Sequence, residues 1–172
     1  MARPSRALID LGALRHNYHL AKQCAPASQN LVVVKANAYG HGALAVAQAL
    51  EPLAPAMGVA CIEEALALRG GGIKCPILLL EGPFSADELV LAAEQKLWVV
   101  LENATQVQWL LEARLSRPLQ VWLKLDTGMH RLGLPSQQAG SCYAQVAASA
   151  NVSDVVMATH FSCADDLASP AT

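Results

Sequence analysis

Three short stretches hold most of the residues able to do chemistry. They are Val33-Val34-Lys35-Ala36-Asn37-Ala38-Tyr39-Gly40-His41-Gly42, then Lys124-Leu125-Asp126-Thr127-Gly128-Met129-His130-Arg131-Leu132-Gly133, then Thr159-His160-Phe161. Lys35 ends the apolar run Leu31–Val34, so its amine should be partly desolvated. Desolvation favours a neutral amine, the form that Schiff-base chemistry needs. A lysine at a strand end can also snorkel to solvent, and position alone favours that reading. Gly40 and Gly42 would let backbone approach a ligand closely, and Tyr39 offers a donor to a phosphate. His16 and His19 could share a helix face, but no third metal ligand lies nearby, so they read as a solvated face.

The elements that must carry these residues follow from the apolar runs. Leu31–Val34, Met57–Ala60, Ile77–Leu80, Leu97–Leu101, Leu119–Leu125 and Val155–Ala158 recur along the chain. Most are continuous rather than alternating, as strands covered on both faces require. Between them lie helical stretches with recognisable ends. Asp10 can cap a helix to about Lys22, and Ser136 one to about Ser149. Ser85-Ala86-Asp87-Glu88 and Asn103-Ala104-Thr105-Gln106 fit capping boxes. Gly70-Gly71-Gly72 ends the helix built on Glu63 to Arg69. Strand–helix alternation of this kind predicts an α/β protein with a parallel sheet. Periodicity leaves two architectures open, a doubly wound open sheet and a (β/α) barrel. In either, chemistry sits at the C-terminal strand ends. The ends of the second, third and fourth runs offer little beyond Glu63, Glu81 and Glu102. Trp98, Trp109 and Trp122 read as core, and Asp165-Asp166 as exposed loop.

Composition narrows the function classes. The 172 residues hold 12 Lys plus Arg against 14 Asp plus Glu, a net charge of −2. That balance supplies no basic face for nucleic acid or an anionic membrane surface. Charged residues are 15% and hydrophobic ones 53%, against ~25% charged in an ordinary domain. Such a chain can bury a sizeable core and still present apolar surface to a partner or to further sequence. No stretch approaches the ~18 apolar residues of a membrane span, and the opening residues lack the pattern of a secretory leader. The five cysteines have no C-x-x-C spacing and read as free thiols of a reducing, cytoplasmic setting.

The string Val33 to Gly42 resembles the pyridoxal-phosphate attachment signature of bacterial alanine racemases. Arg6-Ala7-Leu8-Ile9-Asp10-Leu11 is similar to that family's opening strand, Lys124 to Gly133 to its fifth-strand motif, and Thr159-His160-Phe161 with Ala164-Asp165 to its sixth-strand motif. The resemblance implies a (β/α)8 TIM-type barrel, incomplete, with about six strand–helix units present. Residues 1–10 would then be an N-terminal strand that pairs with a β domain, and residues 11–172 a partial barrel. It also implies interconversion of L-alanine and D-alanine with pyridoxal 5'-phosphate as cofactor, and no metal. Lys35 would link covalently to the cofactor and act as one of two bases, serving the D-alanine face. Tyr39 would bind the cofactor phosphate. Arg131 would bind the cofactor's phenolic oxygen and the substrate carboxylate. Lys124 resembles a lysine carried as a carbamate in several members, and His160 a histidine that supports an arginine facing the pyridine nitrogen. The family's members are roughly twice as long and act as head-to-tail homodimers, so the opposing tyrosine base would come from a partner. Two other readings are a non-enzymatic cofactor-binding or complementing module and a flavodoxin-like nucleotide binder.

Overall fold

The computed structural model describes residue 4, residues 6–166 and residues 168–169. Helix α1 (Leu11–Cys24) opens the chain, and Asp10 caps it as expected, its Oδ1 accepting from Gly12 N at 2.8 Å and Ala13 N at 3.0 Å. Then follow β1 (Leu31–Val33), a single helical turn α2 (Lys35–Tyr39), α3 (Ala43–Leu50), β2 (Ala56–Val59), α4 (Ile62–Gly70), β3 (Ile77–Leu79), α5 (Ala86–Glu94), β4 (Leu97–Leu101), α6 (Ala104–Glu112), β5 (Leu119–Asp126), β6 (Leu134–Pro135), α7 (Ser136–Ala147) and β7 (Val152–Ala158). All six apolar runs of the sequence are strands. The two-residue β6 carried no periodic signal and exists only through its pairing with Leu125 and Asp126.

Strand order decides between the two architectures. Every pairing is parallel, and β1, β2, β3, β4 and β5 lie side by side in chain order, with β7 added beyond β5. A doubly wound sheet reverses direction at a switch point. Here each new strand joins the last one, as in a barrel. The open sheet is thereby excluded, and with it the flavodoxin-like alternative. The sheet also curls. Leu31 of β1 and Ala158 of β7, on opposite edges, line one cavity together with Leu78, Val100 and Trp122.

Alternation along each strand sorts side chains between two cores. Met57, Val59, Ile77, Leu79, Val99, Leu101, Val121 and Leu123 face the helices and are buried in one apolar cluster. Leu31, Leu78, Val100 and Trp122 face the barrel interior. Trp98 stacks on Trp122 there, with centroids 6.3 Å apart and planes 26° apart. Two of the tryptophans expected in the general core therefore line the inside of the barrel, and only Trp109 packs against the helix-facing cluster.

Arg6–Asp10 pair with no described strand, and Leu8 is 90% exposed; the partner expected for residues 1–10 is a β domain. Three local expectations shift. Ser136 is the first residue of α7, and Pro135 occupies its cap. Glu88 accepts from Phe84 N at 2.9 Å, while the Ser85 hydroxyl makes no capping bond. The Asn103–Gln106 box does more than expected. Asn103 Oδ1 accepts from Gln106 N at 2.9 Å, and Gln106 Oε1 accepts from Glu102 N at 2.9 Å. Gln106 Nε2 also donates to the carbonyls of Glu81 and Pro83, which ties the end of β4 to the loop after β3.

Candidate functional site

The C-terminal ends of β1, β5 and β7 bring the three motifs to one mouth. Val34 is buried among the helix-facing residues, and Lys35 follows it as the first residue of α2, just past the end of β1. Lys35 is half-buried, and its side chain makes no hydrogen bond among the described residues. The backbone then turns left-handed. Ala36 (φ 50, ψ 50), Asn37 (φ 56, ψ 45), Ala38 (φ 52, ψ 48) and Tyr39 (φ 54) are successive non-glycine residues in this region. Each such residue costs roughly 1–2 kcal/mol, so other bonds must offset the strain. Asn37 Oδ1 accepts from Ala43 N at 2.8 Å, and Gly42 N donates to Asn37 O at 2.9 Å. Glu64 reaches across from α4, its two oxygens accepting from Ala36 N at 2.7 Å and Ala60 N at 2.9 Å.

Sequence reading singled out the neighbouring Glu63, which is exposed and whose carboxyl is lowered by its own backbone N–H and by Cys61. The signal for Glu64 was its place as third residue of α4, where a carboxylate reaches back past the cap. Glu64→Ala is expected to lose about 1–2 kcal/mol of stability. Amide exchange should accelerate at Ala36 and Ala60 before it does elsewhere in the sheet; equal acceleration throughout the sheet would deny Glu64 this local task.

Around the turn, Tyr39 is 61% exposed. Gly40 (φ +84) and Gly42 (φ +92) have nothing within 4 Å of where a Cβ would stand. Backbone there faces open space, which suits the approach of a phosphate-sized group. His41 Nδ1 lies 2.9 Å from Ala38 O and closes the turn.

The loop after β5 is organised by Asp126. Its Oδ1 accepts from His130 N at 2.9 Å and Gly128 N at 3.1 Å, and its Oδ2 meets His130 Nδ1 at 2.9 Å. These bonds, led by the backbone N–H of His130, hold the Asp126 carboxyl at about 2, below its ordinary 3.8. A depressed carboxyl stabilises the loop above its unfolded value and ceases to do so as pH falls through its folded one. Protection of the Gly128 and His130 amides is therefore expected to be full at pH 4 and above and to fade only toward about 2. Protection that already fades well above pH 4 would assign the organising role to another group. Gly133 (φ +129) lets the loop return, since a Cβ there would sit 2.5 Å from Asp126 N. Arg131 projects from this loop and is exposed.

Lys124 and His160 line one interior cavity of about 170 Å³, with Trp122, Ala158 and Thr159. Thr159 Oγ1 is hydrogen-bonded to Thr127 Oγ1 and donates to Leu125 O at 3.4 Å, joining the second and third motifs. The structure thus gathers Lys124, His160 and the Asp126–Leu134 loop on one side of the mouth. Lys35 and Tyr39 stand at the β1 side, outside that cavity. Among the described residues no cluster of three or more His, Cys, Asp or Glu could hold a metal ion, and His16 and His19 are exposed on α1.

The profile of the family described as "Alanine racemase, N-terminal domain" matches residues 9–172. The alanine racemase of Pseudomonas syringae is 54% identical over 165 residues, which are 96% of this chain and 46% of the relative. The catabolic alanine racemase of Pseudomonas putida is 54% identical over 170 residues, 99% of this chain and 47% of the relative. The crystal structure of the biosynthetic alanine racemase from Pseudomonas aeruginosa superposes with a TM-score of 0.92 at 47% identity, covering 95% of this chain and 46% of that one. The structure of the alanine racemase from Acinetobacter baumannii gives a TM-score of 0.84 at 38% identity, with 92% and 44% covered. The chain spans about half the length of the relatives it matches.

Proposed function

The chain belongs to the family of alanine racemase N-terminal domains, and from that premise we propose that it is the cofactor-bearing barrel segment of an enzyme that interconverts L-alanine and D-alanine. The observation that carries this reading is the placement of Lys35. It stands two residues past the end of β1, half-buried, beside a left-handed turn and two open glycines. The donor set at the mouth fits pyridoxal phosphate. An amine matches its aldehyde, a phenol and unhindered backbone match its phosphate, and a guanidinium matches its phenolic oxygen.

When bound, that cofactor supplies an aldehyde for amines and a conjugated ring that stabilises negative charge at the substrate α-carbon. The chain's own residues do the rest. Lys35 Nζ holds the cofactor and moves the proton on one face of the α-carbon, the D-alanine face. Tyr39 donates to the phosphate. Arg131 binds the substrate carboxylate and the phenolic oxygen through its planar fork. His160 follows β7 and is exposed; from there it would support the group facing the pyridine nitrogen. Inversion needs a second base on the opposite face, and we assign it to a partner subunit in a head-to-tail homodimer. In the same reading, residues 1–10 pair with a β domain. None of the five cysteines forms a disulfide among the described residues, which accords with a cytoplasmic setting, and no helix there is long and apolar enough to cross a membrane.

Half-length coverage of the relatives favours a second reading, in which the segment binds the cofactor and completes its site with another chain. Turnover tests what the two readings share. The 172-residue chain alone is expected to racemise L-alanine negligibly, as followed by a coupled D-alanine assay. Sustained racemisation by the chain alone would show that these 172 residues themselves hold the second base.

A further inference from the structure

A side chain leaves the backbone along its Cα–Cβ bond, and the two planar peptides that flank the Cα fix that direction. Around Lys35 both peptides are held. Val34 O, in the peptide before it, accepts from Ala38 N at 2.8 Å, while Val34 N donates to Gly58 O of β2 at 2.8 Å. Ala36 N, in the peptide after it, donates to Glu64 Oε1 at 2.7 Å. The first peptide is held by the sheet and by the turn itself. The second is held by a side chain of α4.

Glu64 is itself well anchored. Helix α4 buries Ile62, Ala65 and Leu68, which fixes the helix face from which the carboxylate reaches out. Its Oε2 accepts from Ala60 N, one residue past β2, at 2.9 Å. One carboxylate therefore bridges the ends of two adjacent strands through charge-assisted bonds. The turn it supports runs left-handed from Ala36 to Tyr39, a conformation that residues other than glycine do not keep unaided. A cavity of about 340 Å³ lies against that turn, lined by Val34, Asn37, Leu44 and Glu64 among others. Packing leaves the turn partly unsupported there, and hydrogen bonds must hold it.

We propose that Glu64 is a positioning residue for Lys35, its carboxylate fixing the peptide after the lysine and so aiming the amine at the cofactor's aldehyde. Glu64 acts through that peptide, not on the amine. The role needs both oxygens, one for each strand end. This inference rests on the proposed function, in which Lys35 holds pyridoxal phosphate.

The test compares Glu64→Gln with Glu63→Gln in the 172-residue chain. A glutamine keeps the side-chain length but offers one oxygen to two N–H groups. Each folded variant is reduced with borohydride over a series of pyridoxal phosphate concentrations, and the label on the Lys35 peptide is quantified. Glu64→Gln is expected to need about tenfold more pyridoxal phosphate for half-maximal labelling, the equivalent of one lost hydrogen bond. Glu63 is exposed on the same helix, and Glu63→Gln should match the unaltered chain. Lost stability alone does not move labelling measured on folded protein. An unchanged half-labelling concentration in Glu64→Gln would overturn the proposal. Should that variant not fold, Glu64→Asp, with a stem one methylene shorter, takes its place with the same two outcomes. An unaltered chain that takes no label at Lys35 would instead remove the proposed function. The placement of Lys35 by Glu64 is then judged without cofactor, from the three-bond amide–α-proton couplings that report φ. Couplings of Ala36, Asn37 and Ala38 that leave their left-handed values in Glu64→Gln support it, and unchanged couplings overturn it.

Discussion

Borohydride reduction of the chain in the presence of pyridoxal phosphate is expected to leave a pyridoxyl group on the peptide that contains Lys35, and Lys35→Ala is expected to remove that label entirely. The expectation is all-or-none because the chain's other lysines lack the surroundings. Lys96, at φ +54, stands at the start of β4, the opposite end of the sheet from the mouth. Lys22 and Lys74 lie away from the strand C-termini, and Lys22 Nζ donates to Ser28 O. Lys124 is at the mouth, but it lines the interior cavity with Trp122 and His160. Lys35 alone combines a place at a strand C-terminus, partial burial and open backbone at Gly40 and Gly42. Peptide mapping reads the result without reference to turnover. A pyridoxyl adduct on another lysine, or an undiminished label in Lys35→Ala, would remove Lys35 from the site.

Gly82→Ala is expected to destabilise the chain by about 3–5 kcal/mol, enough to leave a domain of ordinary stability largely unfolded in mild denaturant. Gly82 follows β3 at φ +71, where any side chain is strained. An added Cβ would also lie 2.3 Å from Val100 O and 2.8 Å from Gln106 Nε2. Val100 belongs to β4 and cannot give way without breaking the ladder to β5. Displacing Gln106 would strand Glu102 N and the carbonyls of Glu81 and Pro83, which it now satisfies; each buried group left unpaired costs about 1–3 kcal/mol. Gly70→Ala is the control. It ends α4 with ordinary φ and nothing within 4 Å of its Cβ, so a change within about 0.5 kcal/mol is expected there. Urea denaturation of both variants checks the contrast, and near-equal midpoints would show that the loop after β3 yields freely.

Much of this molecule was legible because it is written locally. Continuous apolar runs marked six parallel strands, since strands covered on both faces leave no polar side to alternate. Asp10 and Asn103 announced their helices because a cap is a bond between residues two or three apart. The ten residues around Lys35 carried the family resemblance for the same reason: the chemistry there needs adjacent groups. Where local reading failed, the determining partner was distant. Glu63 is favoured over Glu64 when the helix is read from Glu63; it starts at Ile62, which makes Glu64 the third residue and lets it reach the end of β1.

Tertiary structure alone decided the rest. Strand order separated barrel from open sheet, because both share one alternation and differ only in which neighbour each strand joins. Register set Glu102 level with Lys124, and sheet curvature brought Leu31 and Ala158 to one cavity. The left-handed turn after Lys35 persists because Glu64, from a different element, holds Ala36 N. Sequence specifies the local bonds a residue can make; pairing across the sheet determines which distant residues come level, and no run of adjacent residues contains that information.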